Sequence, residues 1–225
     1  MNKLEIACFN LESAIVAQEN GADRIELCDD IAVGGTTPKA LDIINTRKLV
    51  TIDLYIMIRP RGGNFVYSEE EFFQIKFNIL QFKSLKVNGF VFGILNENNE
   101  IDVERNTELV ALAKPFPCTF HRAFDEVSDA FKSLEEIIEC GFKTILTSGQ
   151  AQNAVEGINQ LAELVEKADN RIVIMPGGGL RSSNIDLIKQ KTKSNWFHSS
   201  AITNGSEKAN PKEIISLKSK LKTIS

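Results

Sequence analysis

Met57-Ile58-Arg59-Pro60-Arg61-Gly62-Gly63-Asn64-Phe65 closes a β-rich run with two arginines and two glycines. A strand end that reads Arg-Pro-Arg-Gly-Gly carries more than turn chemistry requires. Pro60 stiffens the exit, and the glycines let the backbone turn or approach a ligand. The forked donors of arginine suit a carboxylate or phosphate. The same order recurs along the chain: a short β-rich run, then a longer helical pattern. The strand candidates are Leu4–Cys8, Arg24–Cys28, Ile52–Arg59, Phe90–Gly93, Cys118–His121, Thr144–Thr147, Ile172–Met175 and Trp196–His198. Eight units in 225 residues are about 28 residues each, the size of a βα unit. Strand–helix alternation predicts a parallel sheet with right-handed crossovers.

An open doubly wound sheet would alternate in the same way. The count of eight and the placement of polar residues favour a closed (β/α)8 TIM barrel. Glu26, Arg59, His121, Thr147 and His198 all fall near the C-terminal ends of strands. A barrel gathers those ends at one mouth. An open sheet uses only the strands beside its switch point. No linker, repeat or low-complexity tract divides the chain, so residues 1–225 read as one domain. The second helix is expected to start at Pro38. The third should start near Ser68, with Glu71 completing a capping box. The seventh is expected around 182–184, and the last from Pro211 to Leu221. Phe72, Phe73, Phe77 and Phe82 on the third helix are expected to pack against the barrel.

Composition narrows the function classes. A net charge of -4 argues against a general nucleic-acid or membrane-surface binder. No apolar run reaches 18 residues, so no transmembrane helix is expected. Met1-Asn2-Lys3-Leu4-Glu5 meets charge too early for a signal peptide, which makes the cytoplasm the expected location. Cys8, Cys28, Cys118 and Cys140 form no C-x-x-C pair. That argues against a zinc ribbon or a thioredoxin-like centre.

Several strand ends carry candidate chemistry. Thr119-Phe120-His121-Arg122-Ala123-Phe124-Asp125 offers His121 as an acid or base near neutral pH, with Asp125 to orient it. Met175-Pro176-Gly177-Gly178-Gly179 follows the seventh strand, and His198-Ser199-Ser200 closes the eighth. Barrels often bind phosphate with the loops after these two strands. Thr147-Ser148-Gly149-Gln150 is a further polar strand end. Glu26 and Cys28 share one face of the second strand, and Cys8 ends the neighbouring one. Two thiols on adjacent strands could hold a soft ion such as Cu(I). Glu5 and Cys8 have opposite parity, so a regular strand cannot aim both inward.

Taken together, these residues resemble the CutC family over nearly the whole chain. The resemblance runs through Leu4-Glu5-Ile6-Ala7-Cys8, Gly21-Ala22-Asp23-Arg24-Ile25-Glu26-Leu27-Cys28 and Gly34-Gly35-Thr36-Thr37-Pro38. It continues in Ile58-Arg59-Pro60-Arg61-Gly62-Gly63, Thr119 to Asp125, Leu146-Thr147-Ser148-Gly149 and His198-Ser199-Ser200. Asn64 departs from the pattern, which usually has Asp after Gly-Gly. The resemblance implies a (β/α)8 barrel, a cytoplasmic location, a role in copper handling, and Cys8 and Cys28 as copper ligands.

Two functional readings stand at this point. In one, Cys8 and Cys28 hold Cu(I) as thiolates with His121 nearby. In the other, the protein is an enzyme for a small anionic metabolite, phosphorylated compounds included, with the reaction left open. Arg59, Arg61 and Arg122 would then contact the anion beside Thr147, Ser148, Gly177, Gly178, Gly179, His198 and Ser199. Glu26 or His121 would move protons. Three methionines and unclustered cysteines are few soft ligands for a copper carrier. No lysine sits at a strand end, which argues against a Schiff base. A homodimer or larger homo-oligomer is the expected assembly.

Overall fold

The computed structural model describes residues 2–203 and 207–222. Eight strands alternate with eight helices along the chain. The first four units are β1 (Lys3–Cys8), α1 (Leu11–Glu19), β2 (Arg24–Leu27), α2 (Ala40–Leu49), β3 (Asp53–Met57), α3 (Glu69–Phe82), β4 (Gly89–Phe92) and α4 (Val103–Ala113). The remaining four are β5 (Cys118–Phe120), α5 (Ala130–Cys140), β6 (Thr144–Thr147), α6 (Ile158–Ala168), β7 (Val173–Pro176), α7 (Ile185–Thr192), β8 (Trp196–Ser199) and α8 (Pro211–Lys222). The strands are parallel, in the order β7-β6-β5-β4-β3-β2-β1-β8. Where β7 meets β8 the closure uses a side chain: Ser194 Oγ donates to Ile174 O at 2.6 Å. The result is the expected (β/α)8 barrel.

Side-chain alternation builds two interiors. Leu4, Ile6, Cys8, Ile25, Leu27, Leu54, Ile56, Phe90, Phe92, Phe120, Ile145, Ile174 and Phe197 fill the layer between strands and helices. Phe142 packs between two of them, with ring centroids 5.2 Å from Phe92 and 5.3 Å from Phe120. Each such ring, fully buried, contributes about 1.5–3 kcal/mol. The opposite parity faces the barrel axis and is strongly polar. Glu5 pairs in register with Arg24 on one side and His198 on the other. The Arg24 guanidinium lies between two rings, 4.1 Å from the centroid of Tyr55 and 4.0 Å from that of Trp196.

Two expectations are corrected. Helix α2 begins at Ala40, not Pro38, with Lys39 still extended. Thr37 explains the delay. Its N–H and hydroxyl both donate to Arg59 O, and its Oγ1 accepts from Arg59 N. This clamps residue 37 to the end of β3 before the helix can start. Helix α3 does open with the Ser68–Glu71 capping box, but its four phenylalanines divide. Phe72 and Phe82 are buried, whereas Phe73 and Phe77 are 67% and 54% exposed. Neighbouring helical residues are about 100° apart, so the stripe Phe72-Ile75-Ile79-Phe82 faces the barrel and Phe73-Phe77-Leu80 faces outward. Chemical denaturation should separate the two sets. Phe72→Ala should cost about 3–5 kcal/mol, and Phe73→Ala should stay within about 0.5 kcal/mol of wild type.

Candidate active site at the barrel mouth

A cavity of about 200 Å³ opens at the C-terminal ends of the strands. Its floor is the polar barrel interior. The Glu5 carboxylate is fully buried and divides its oxygens between two partners. Oε2 accepts from Arg24 Nε, and Oε1 lies 2.7 Å from His198 Nδ1. Burial opposes ionisation of Glu5, but Arg24 and His198 outweigh it and hold its pKa at about 2. The reciprocal effect falls on His198. Although burial works against its charged form, Glu26 and Glu5 raise its pKa.

Glu26 is the next carboxylate up and lines the cavity. Its Oε2 is 3.5 Å from the Cys28 thiol and 3.8 Å from His198 Nε2. Its Oε1 is buried without a hydrogen-bond partner. Burial lifts the Glu26 pKa to about 7. His198 opposes that rise and Glu5 adds to it. A carboxyl group so balanced changes protonation near neutral pH.

His121 enters the same cavity from the end of β5. Gly93 makes room for it, since a Cβ there would lie 2.9 Å from His121 Nδ1. That Nδ1 accepts from Ala123 N at 3.3 Å, and the ring packs on Phe65 with centroids 4.8 Å apart. Burial, reinforced by Arg59, lowers its pKa to about 3. His121 is therefore neutral, and the network assigns its proton to Nε2. That Nε2 is buried and unpartnered.

The loops after β7 and β8 supply the rim. Gly178 and Gly179 have φ of +87° and +69°, a conformation that favours glycine. Among the described residues, the N–H groups of Gly178, Gly179 and Ser200 make no hydrogen bond. Arg122 donates from Nε to Asp125 and from Nη2 to Ser148 Oγ. Its Nη1, also without a partner among the described residues, lies beside Gly178. Arg181 lines the rim too, tied to Leu180 O, Ser199 Oγ and Ile202 O.

Not every expected site residue arrives there. Glu26, Arg59, His121, Arg122, Gly178, Gly179, His198 and Ser199 line the cavity. Arg59 is wall rather than a free clamp: Nη1 and Nη2 donate to Val33, Gly35 and Gly63 carbonyls, while Nε has no partner. Arg61 turns outward to Glu71, Gly62, Asn64 and Val66. Asp125 does not orient His121. It accepts from Arg122, Thr147 Oγ1 and the N–H groups of Ser148 and Gln150. Thr147 and Ser148 thus brace the Arg122 turn from behind. Gly177 packs against Leu146 and His198. Sequence reasoning missed Glu5, Arg24 and Arg181. The alternation of β1 and β2 carried a signal for the first two, because a charged pair in register on an inward face must be buried.

The two cysteines sit in different packing layers. Register sets Cys8 opposite Leu27, so Cys8 shares the helix-facing layer with Leu4 and Ile6. Cys28 faces the barrel and packs with Tyr55, Met57 and Val91. Burial, with Glu26 next in effect, pushes both thiols up. The two thiols therefore do not stand on one face of the sheet. Among the described residues, no group of three or more His, Cys, Asp or Glu could hold a metal ion.

The CutC family model matches residues 2–203. This chain belongs to the CutC family. It is 46% identical over 199 residues to a family protein CutC of Parabacteroides distasonis, covering 88% of this chain and 82% of that one. It is 42% identical over 198 residues to the copper homeostasis protein cutC homolog of Homo sapiens, covering 88% and 72%. The crystal structure of CutC from Streptococcus agalactiae superposes with a TM-score of 0.86 at 38% identity, covering 90% of this chain and all of that one. The family is thus one whose members are named for copper homeostasis. No helix among the described residues is long and apolar enough to cross a membrane.

The Glu26 environment sets a pH signature. Its pKa rises from 4.5 to about 7 on folding, so the folded state favours the acid form. The stabilisation is complete below pH 4.5 and is lost as pH rises through about 7. Glu26→Gln cannot ionise. In thermal melts it should gain several degrees over wild type at pH 8 relative to the difference at pH 4. A difference independent of pH would contradict this electrostatic account.

Proposed function

We propose that this protein is an enzyme that binds a small phosphorylated metabolite at the barrel mouth. The observation that carries the reading is the set of donors without partners around one cavity. The N–H groups of Gly178, Gly179 and Ser200 and the Nη1 of Arg122 all border it. Unpaired donors at a partly enclosed site favour an anion with several acceptor oxygens. The three N–H groups lie on the loops after β7 and β8, where barrels commonly seat phosphate, and Arg122 reaches them from the turn after β5. Glu26 and His121 lie in the same cavity, so the anion would be anchored beside groups able to act on it.

Copper is the competing ligand, because the relatives' names refer to copper homeostasis. Cu(I) would be cargo and would need soft donors gathered at one point. The opposite facing of Cys8 and Cys28 and their raised thiol pKa values weigh against that pair.

The two readings separate experimentally. Calorimetry with inorganic phosphate should show binding that Arg122→Ala weakens about tenfold or more. Arg61→Ala should bind as wild type does. Competition for Cu(I) against a strong chelator should give the same result for wild type and Cys8→Ser/Cys28→Ser. Absence of phosphate binding, or loss of Cu(I) retention in the double variant, would overturn the proposal in favour of copper.

A further inference from the structure

We infer that the mouth catalyses enolisation of a small phosphorylated hydroxy-carbonyl compound, with Glu26 as the base and His121 as the hydrogen-bond donor to the carbonyl oxygen. This rests on the anion reading above and adds a reaction class to it.

Among the described residues, three that line the cavity each carry a buried polar atom with no partner: Arg59 Nε, beside the pair that matters here, Glu26 Oε1 and His121 Nε2. They differ in kind. One is a carboxyl oxygen able to take a proton, and the other is an N–H able only to donate a hydrogen bond. They also approach from different sides. β2 and β5 are separated by β3 and β4, so a ligand in the mouth lies between them. Leaving such atoms unpaired costs free energy, which a substrate offering both complements would recover. A C–H beside a carbonyl is that complement.

The step balances within the site. Glu26 Oε1 takes the proton from the carbon next to the carbonyl. The C–H electron pair becomes the C=C bond, and the carbonyl π pair moves onto oxygen. The oxygen, now an enolate, accepts the Nε2–H of His121. Return of the proton to the same carbon exchanges its hydrogen; isomerisation additionally needs the adjacent hydroxyl proton to pass to the former carbonyl oxygen, after which Glu26 returns its proton to the former carbonyl carbon and the hydroxyl oxygen becomes the new carbonyl. A neutral imidazole suits the donor role because it stabilises the enolate without surrendering its proton. Among the described residues no lysine lines the cavity, so a Schiff base does not supply the electron sink. The Ser199 hydroxyl is engaged with Leu180 O.

The groups facing Glu26 let it work in both directions. Cys28, Arg24, Glu5 and His198 surround it. Burial and Glu5 favour the acid, whereas His198 and Arg24 favour the carboxylate. His198 is itself fixed through Nδ1 to Glu5.

The test uses dihydroxyacetone phosphate as the probe, with hydrogen–deuterium exchange at carbon followed by proton NMR in D2O. Exchange is expected at least about tenfold above buffer, with a rate that rises through pH 7 as Glu26 ionises. Glu26→Gln should abolish it, and Glu26→Asp should restore part of it. His121→Gln should lower it about a hundredfold, the usual effect of removing one oxyanion donor. Binding of inorganic phosphate, measured in parallel, should survive in all three variants and reports their folding. Phosphate binding without exchange by wild type overturns the enolisation inference and leaves the anion site standing. So does exchange that Glu26→Gln leaves unchanged. Absence of phosphate binding by wild type overturns the reading beneath it.

Discussion

The polar interior of this barrel depends on one fully buried carboxylate, Glu5. An ionised carboxyl group removed from water costs several kcal/mol unless charges and hydrogen bonds replace its hydration. Glu5 obtains them from both neighbouring strands, Arg24 on β2 and His198 on β8. Register makes this inevitable, since Glu5 sits directly opposite both residues. The pairing has consequences beyond charge balance. It fixes the His198 ring through Nδ1, which leaves Nε2 facing Glu26. It also fixes the Arg24 plane, which stacks between Tyr55 and Trp196. The floor of the mouth is therefore rigid because its lowest charge has no alternative partner.

The two histidines show how environment divides residues of one type. Both stand at strand C-termini, and nothing local distinguishes them. His198 faces two carboxylates and is biased toward its charged form. His121 faces Arg59 and two phenylalanine rings and is held neutral. His198 lowers the Glu26 pKa against the effect of burial, and His121 keeps a neutral ring beside the same cavity. A site that needs a base near neutrality and a non-acidic donor obtains both from opposite ends of the imidazole range.

The barrel, and the convergence of its polar strand ends on one cavity, were legible because they rest on period-two alternation and on repetition of the βα unit. Those are local signals, and eight of them agree. The roles of long side chains were less legible. Arg59 and Arg61 share a motif, yet Arg59 lines the cavity and Arg61 reaches Glu71 ten residues on. Which acceptor an arginine finds depends on loop geometry that composition does not encode. Asp125 follows His121 closely in the chain, but the turn at Arg122–Glu126 carries it toward β6. The opposite parity of Glu5 and Cys8 was legible too, but it left open which of them faces inward. Parity says only that they oppose each other. Burial of a charge with partners in register shows that Glu5 takes the inner face.

That choice bears on the family's association with copper. If Cys8 had faced the axis, a thiolate pair could have replaced the Glu5 network at the barrel floor. Both arrangements cannot share one regular strand, because adjacent parity excludes it. The chain places a charged carboxylate on the axis and hides Cys8 among Leu4 and Ile6. Burial, then Glu26 and Glu5, raise the pKa of Cys28 and favour its thiol form in the absence of a metal. The same two carboxylates are what tune His198 and bring Glu26 to neutrality. The barrel axis thus gathers carboxylate, guanidinium and imidazole groups, and the sulfur of Cys8 is left in the packing layer behind them.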